Sequence, residues 1–291
     1  MATIRVGPAG WKYKDWEGVV YPRPKPRGFD ELEYISRYFD TVEINTSFYG
    51  PPTRNAVEAW LEAVRQRPNF RFTAKLYRGF THLRRANADE ERIFRDSIGA
   101  LMGAGKFGAL LMQFPWSFKN DAESRELLFR LIRKFREFPL VAEVRHASWI
   151  TDEMLDGLAE AGVGICNIDQ PLFHRSVEPS ALTTSPTGYV RLHGRNYKQW
   201  FSKTADVRER YDYLYPAAEL APWTERIEKI AGDAPEVFAI TNNHNIGKAV
   251  TNALEILSML GDEKVDVPPP LLEHYPELAK IATAGSSGKL F

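Results

Sequence analysis

The chain contains one cysteine, Cys166, in 291 residues. A single thiol excludes an intramolecular disulfide and any zinc site built from several thiolates, and it fits a reducing compartment. Net charge is also lacking: 38 basic residues balance 38 acidic ones. No global pull toward nucleic acid or membrane is expected, and only local patches can attract a charged partner. No apolar run reaches the roughly 20 residues that a membrane-spanning helix requires. Met1 leads through Ala2 and Thr3 into "IRVG" without an apolar signal segment or an Arg-rich presequence, so a cytoplasmic location is expected. Solenoid repeats are missing, and the only biased block is the Pro-rich "YPRPKPRG" at 21–28. The remaining composition, 44% hydrophobic and 26% charged, is that of a soluble globular protein long enough to bury a sizeable core.

Periodicity then yields a strand followed by a helix, repeatedly. Strand-like runs occur at Ile4–Gly7, Thr41–Ser47, Phe70–Leu76, Ala109–Phe114, Leu140–Arg145, Val163–Asp169, Tyr189–His193 and Val237–Asn242. Helical spacing fills most of the gaps, as in "RNAVEAWLEAVRQR", "AESRELLFRLIRKFREF" and "IGKAVTNALEILSML". The sixth connection, 170–188, is the weakest, with at most a turn of helix near Pro179–Leu182. Eight such units point to an α/β protein of the (β/α)8 TIM-barrel type. A doubly wound open sheet is the alternative, but "GPAGWKY" lacks the glycine spacing of a dinucleotide-binding turn. The expected division is a barrel over 1–265 and a C-terminal extension over 266–291 that ends in a loose "TAGSSGKLF" tail.

Inward positions of a barrel strand are usually bulky and apolar. Here one parity of many strands is polar: Glu43, Asn45 and Ser47; Thr73 and Lys75; Gln113; Glu143 and Arg145; Asn167 and Asp169; Arg191 and His193; Thr241 and Asn243. The other parity, Val42/Ile44, Phe72/Ala74, Leu110/Met112, Ala142/Val144 and Val190/Leu192, suits packing against outer helices. Read this way, the polar set faces the barrel interior, where charges must be paired or cost several kcal/mol each. An ion network that merely fills the barrel is the alternative to a chemical site. Lys75, Gln113, Asp169, His193 and Asn243 fall near strand C-termini, where barrel enzymes place reactive groups. Cys166 falls on the opposite parity and reads as core.

Several blocks resemble one family. "GPAGWKYKDWEGVVYP", "FDTVEINTSFYGPPT", "FRFTAKLYRGFTH", "LLMQFPWSF", "VAEVRHASW", "YVRLHG" and "ITNNHNIGKAVTNALEI" are similar, in order, to those of the YecE-like family (domain of unknown function 72). They span the chain from about Ile4 to Leu260. The resemblance implies a TIM-barrel-like fold but no established reaction. It places Glu43, Asn45, Lys75, Gln113, Glu143, Arg145, His146, Trp149, Arg191, His193 and Asn243 at the family's polar positions. Where many relatives carry a small hydroxyl or thiol residue, this chain has Pro8 and Ala9.

The loops after the strands add candidates. In "EVRHASW", Arg145 would hold Glu143 ionised, as a base or metal ligand, while His146 begins the loop with either a chemical or a capping role. "RLHGRNYKQW" interleaves Arg195, Lys198, Tyr197 and Trp200, with Gly194 allowing close backbone approach to a ligand. "NNHNIGKA" places Lys248 at a helix start, where free N–H groups attract anions. "YRGFTHLRRA" supplies His82. Trp11 and Tyr49 add aromatic surface that can stack on bases or sugars; the alternative is that the tryptophans only pack the loops onto each other.

The expected function is an intracellular barrel enzyme acting on a polar anionic substrate: a phosphorylated sugar, a nucleotide or a nucleic-acid end. Glu43, Glu143, Asp169, His193 and Lys75 are the catalytic candidates. Trp11, Asn45, Tyr49, His82, Gln113, Arg145, His146, Trp149, Arg191, Arg195, Asn243 and Lys248 are the substrate-binding candidates. A divalent metal (zinc, manganese or magnesium) held by Glu43, Glu143, Asp169 or His193 is a further option, although no paired-His spacing supports it. Phosphoester hydrolysis and carbohydrate isomerisation both fit. A barrel that binds nucleic acid or a small ligand without turnover stays open as the alternative.

Overall fold

A computed structural model describes residues 2–198 and 207–287. Eight parallel strands follow one another around a barrel: β1 (Thr3–Pro8), β2 (Thr41–Ile44), β3 (Arg71–Lys75), β4 (Phe107–Gln113), β5 (Leu140–Glu143), β6 (Gly164–Asp169), β7 (Thr187–Leu192) and β8 (Glu236–Thr241). Their hydrogen-bonded order is β1-β8-β7-β6-β5-β4-β3-β2. Between β1 and β2 the circle is completed by a bridge from Ala9 to Glu43 and by Gly10 N–H donating to Glu43 O at 2.8 Å. A side chain at Gly7 could not fit there, because its Cβ would lie 2.0 Å from Thr41 O.

The helices are α1 (Glu31–Ile35), α2 (Arg54–Ala63), α3 (Arg78–Thr81), α4 (Ala88–Gly103), α5 (Ala122–Lys134), α6 (Asp152–Glu160), α7 (Val207–Arg210), α8 (Ala217–Asp233), α9 (Lys248–Gly261) and α10 (Pro269–His274). Short polar residues start five of them. Asp30, Thr53, Asn87, Asp121 and Thr151 each accept from the backbone N–H three residues on, which satisfies a donor that the first helical turn leaves free. Asn87 and Glu90 form a full capping box. No helix forms at Pro179–Leu182; residues 177–184 run without regular structure.

Two apolar layers hold the barrel. The outer one joins alternate strand residues such as Val42, Phe72, Leu110, Ala142 and Val190 to the helices. The inner one is a smaller plug of Ala9, Ala109, Leu111, Val141, Cys166, Ile168, Tyr189, Phe238 and Ile240. The C-terminal extension docks on the outer layer through Val267, Leu271 and Leu278, and Val265 N–H donates to Ile281 O at 2.9 Å. Residues 288–291 of the expected loose tail lie outside the described residues. Among the described residues no helix is long and apolar enough to cross a membrane.

Candidate active site

Above the apolar plug, at the C-terminal ends of the strands, the barrel interior becomes charged. Arg191 on β7 is fully buried and reaches two carboxylates on other strands. Its Nη2 donates to Glu43 Oε1 at 2.7 Å, and its Nη1 to Glu143 Oε2 at 2.5 Å. Glu43 Oε2 accepts from the Tyr189 hydroxyl at 3.0 Å, and that hydroxyl also lies 2.8 Å from Thr73 Oγ1. Glu143 Oε1 accepts from Gln113 Nε2 at 2.7 Å and from Arg145 Nε at 3.0 Å. Burial acts to raise the Glu143 carboxyl, but its charged partners, Arg191 foremost, hold it well below the usual carboxylate range. Burial likewise works against the Arg191 charge, and Glu43 and Glu143 more than restore it. Both carboxylates are engaged by several donors, Glu43 by Arg191 and Tyr189 and Glu143 by Arg191, Gln113 and Arg145.

His193 stands beside this pair. Its Nε2 lies 3.2 Å from Glu143 Oε1, and Asn242 Nδ2 approaches its Nδ1 at 3.1 Å. The assigned arrangement is a neutral ring that accepts at Nδ1 and donates from Nε2. Burial brings its pKa down to about 3 despite Glu143.

Lys75 is different. It ends β3 with 8% exposure, its ammonium 3.8 Å from Glu43 Oε1 and 5.7 Å from the centre of the Phe48 ring. Glu43 Oε1 is already taken by Arg191 at 2.7 Å. Burial, and then the neighbouring Arg191 guanidinium, bring the Lys75 pKa down to about 7 against the pull of Glu43 and Glu143. A lysine so placed is a ready base or nucleophile at neutral pH.

Lys75 opens into a cavity of about 500 Å³ at the barrel mouth, walled by Trp11, Tyr13, Phe48, Tyr49, Trp60 and Tyr211 and edged by Lys12, Asn45, Gln113, Asn242 and His244. Tyr13 and His244 stack with ring centres 4.4 Å apart, and Trp11 meets Trp60 edge-on at 5.7 Å. A second cavity of about 340 Å³ adjoins it through Phe48, Gln113 and Tyr211, and it adds His82, Trp116, Arg145 and Arg210. Burial, helped by Arg145 and Lys75, lowers the His82 pKa to about 4. Among the described residues no Asp or Glu side chain lines either cavity, while Lys12, Arg145 and Arg210 do, beside Lys75.

Other candidates are placed elsewhere. On β6 the inward residues are Cys166 and Ile168, so Asn167 and Asp169 face the outer layer, contrary to the parity read from the sequence. The absence of a helix after β6 explains Asn167, which binds the irregular loop that runs there instead. Its Oδ1 accepts from Leu182 N at 2.7 Å and Ser180 Oγ at 2.8 Å. Asp169 is held by Arg195 at 2.9 and 2.6 Å, by the Tyr215 hydroxyl at 2.9 Å and by Trp223 Nε1 at 2.6 Å. Neither Asp169 nor Arg195 lines the cavities described above. The same inversion occurs on β8, where Phe238 and Ile240 face inward. Thr241 donates to Ala249 O at 2.8 Å, and Asn243 donates to Tyr213 O and Asn252 Oδ1, both at 2.8 Å.

The loop candidates are similarly occupied. Lys248 pairs with Asp212. His146 caps the short turn after β5, its Nδ1 accepting from Ser148 N–H at 3.2 Å. Trp149 packs that loop by stacking on Phe118 and donating to Phe118 O at 2.6 Å. Gly194, at φ +89°, makes room for Tyr213, whose Cβ would sit 2.9 Å from an added Cβ. Trp200 lies outside the described residues. The four metal candidates do not converge, because Arg191 separates Glu43 from Glu143 and Asp169 faces away. Among the described residues no group of three or more His, Cys, Asp or Glu side chains is disposed to hold a metal ion.

Sequence reasoning missed Tyr13, Trp60, Asn242 and Tyr211. Asn242 was readable in principle, since it continues the inward parity of Phe238 and Ile240. Trp60 sits on α2, away from any strand end, and only the three-dimensional fold brings it to the mouth.

Comparison with known proteins places this architecture. The family model described as "Protein of unknown function DUF72" matches residues 5–276, and the chain belongs to that family. A curated relative, the UPF0759 protein YunF of Bacillus subtilis, is 29% identical over 288 residues, covering 94% of this chain and 100% of the relative. The crystal structure of a DUF72 family protein from Thermotoga maritima is similar with a TM-score of 0.76 at 29% identity, over 89% of this chain and 99% of that one. A DUF72 family protein from Enterococcus faecalis is similar with a TM-score of 0.76 at 27% identity, over 89% and 96% respectively.

Proposed function

We propose that this DUF72-family chain is a cytoplasmic barrel enzyme that binds an anionic, ring-bearing substrate at the mouth and acts on it through Lys75. One observation carries this reading. In a protein of zero formal charge, no carboxylate side chain among the described residues lines either of the two adjoining cavities, whereas Lys12, Arg145 and Arg210 do. Chance would mix the signs, whereas binding a phosphate or carboxylate favours one. The aromatic wall suits a sugar or base ring, and Arg145 at the second cavity suits the anion, since guanidinium matches phosphate geometry. A phosphorylated sugar, a nucleotide or a nucleic-acid end meets these requirements.

Within this reading the roles are divided. Glu43, Glu143 and Arg191 form a fixed frame, and His193 stays neutral between Glu143 and Asn242. Lys75 is the group that exchanges protons at neutral pH, because its pKa is near the working range. Hydrolysis of a phosphoester and sugar isomerisation both use such a group.

The test is a thermal-shift and calorimetric panel of phosphorylated sugars, nucleotides and their neutral counterparts. Phosphorylated rings are expected to bind, with at least tenfold weaker affinity in Arg145→Met. Equal binding of the neutral compounds, with no effect of the variant, would contradict the reading.

A second reading, a nucleic-acid-binding barrel without turnover, is favoured by the rim. Tyr49 is 61% exposed, and the Arg78 guanidinium lies 5.4 Å from its ring centre, a pairing suited to stacking an unpaired base. Affinity for single-stranded DNA that falls steeply with salt would support it.

A further inference from the structure

We infer that the substrate of this site is an anionic aldehyde or ketone, and that Lys75 Nζ forms an imine with its carbonyl carbon. This deepens the proposed function and rests on its claim that the cavity takes an anion. The inference begins from the surroundings of Nζ. The side chain projects from the last residue of β3 into the 500 Å³ cavity. Its only ion-pair contact among the described residues is Glu43 Oε1 at 3.8 Å, beyond hydrogen-bond distance. Phe48 covers one side. A lysine meant only as a structural cation would be expected to donate directly to a carboxylate, as Lys25 does to Glu17 at 2.7 Å and Glu31 at 2.9 Å. Lys75 is instead held near neutrality with its lone pair available, which is the state an amine nucleophile requires.

The step balances without a cofactor. The Nζ lone pair attacks the carbonyl carbon, and the C=O π pair moves to oxygen. A proton passes from nitrogen to that oxygen, giving a carbinolamine. The nitrogen lone pair then expels the hydroxyl, which leaves as water after taking one proton from solvent, and Lys75 becomes an iminium cation. Charge counting identifies the substrate class. The frame of Glu43, Glu143, Arg191 and Arg145 sums to zero, with His193 and Lys75 neutral, so the iminium would add one positive charge to that of Lys12 at the cavity edge. A carboxylate or phosphate carried on the same substrate cancels it; a neutral ketone would not. Such an iminium withdraws electrons from the adjacent carbon, so the reaction class is bond making or breaking next to the carbonyl.

The test uses the wild-type protein at pH 7.5 with pyruvate, glyoxylate, dihydroxyacetone phosphate and neutral acetone in turn, each with cyanoborohydride. Hydride addition to an iminium leaves a stable secondary amine, and peptide mass mapping locates it. In parallel, fluorescence of Trp11 and Trp60 at the cavity is titrated with the same compounds, and with glycerol 3-phosphate, in the absence of reductant. At least tenfold more label on Lys75 than on any other lysine, with the anionic compounds over acetone, is the expected result. Label on the cavity neighbour Lys12, or spread over surface lysines, would overturn the inference. Fluorescence change with the anions but no adduct would overturn the imine and leave anion binding standing. Neither signal would overturn both. Lys75→Arg, checked for folding by circular dichroism, should lose the adduct while keeping the fluorescence response.

Discussion

On the inner face of the sheet Arg191 holds Glu43 and Glu143; on the outer face Arg195 holds Asp169. Both clusters bury carboxylates completely, and both satisfy them with arginine and a tyrosine hydroxyl. The outer cluster ends there. Trp223 and Tyr215 close around Asp169, and Arg195 is further steadied by Glu219 at 3.5 Å. It ties the loop after β7 to α8 and borders no cavity described here. The inner cluster carries an additional group, Lys75, that its carboxylates do not fully engage and that faces the mouth. The comparison teaches that buried charge by itself does not mark a site. A saturated frame beside one under-engaged ionisable group and an open cavity does.

Four changes sharpen or break that contrast. Arg191→Leu should have the largest effect, leaving two buried carboxylates without their shared cation, at a cost of about 3–5 kcal/mol in urea unfolding. A loss below about 1 kcal/mol would mean that the inner frame is not held as described. The second concerns pH. The Lys75 pKa is about 7 when folded, against an ordinary 10.5. Below pH 7 both states are protonated and the burial penalty is constant. Between the two values the unfolded chain binds the extra proton, so stability rises with pH. Wild type should therefore gain about 3 kcal/mol relative to Lys75→Met between pH 7 and 9.5; parallel curves would refute the lowered pKa. Third, Asp169→Asn should cost about 2 kcal/mol through weakened charge-assisted bonds while leaving ligand affinity unchanged. A tenfold loss of affinity there would erase the distinction between the clusters. The smallest effect should come from Trp149→Phe, which keeps the stack on Phe118 but removes the indole hydrogen bond, at about 1 kcal/mol by thermal unfolding.

The barrel and most of its polar lining were legible because alternation is a direct consequence of the pleat. On β2, β3, β4, β5 and β7, the polar parity does face inward, and the opposite parity packs on helices. The rule failed on β8 because its polar end, Thr241 and Asn243, bonds outward to Ala249 and Asn252 of α9, and on β6 for a different reason. Polarity identifies the inner face only where an apolar helix covers the outer one. Outside β6 an irregular loop needs hydrogen-bond partners, and Asn167 supplies them to Leu182 and Ser180. Inside β6 the small Cys166 and branched Ile168 fill the plug, and burial raises the Cys166 thiol well above its ordinary pKa, away from reactivity. Trp60 and Tyr211 reach the mouth from outside the strands, and their contribution to the wall was not encoded in any local pattern.

The account turns on Lys75 being a neutral amine at physiological pH. Trace acetylation of the native protein, with peptide mass spectrometry from pH 5.5 to 10.5, measures the ionisation of Lys75 directly against the surface lysines. A midpoint near pH 7 is expected for Lys75, well below the ordinary lysine value. A Lys75 midpoint near 10.5 would make it an ordinary member of the ion network and would contradict the assignment of the chemistry to it.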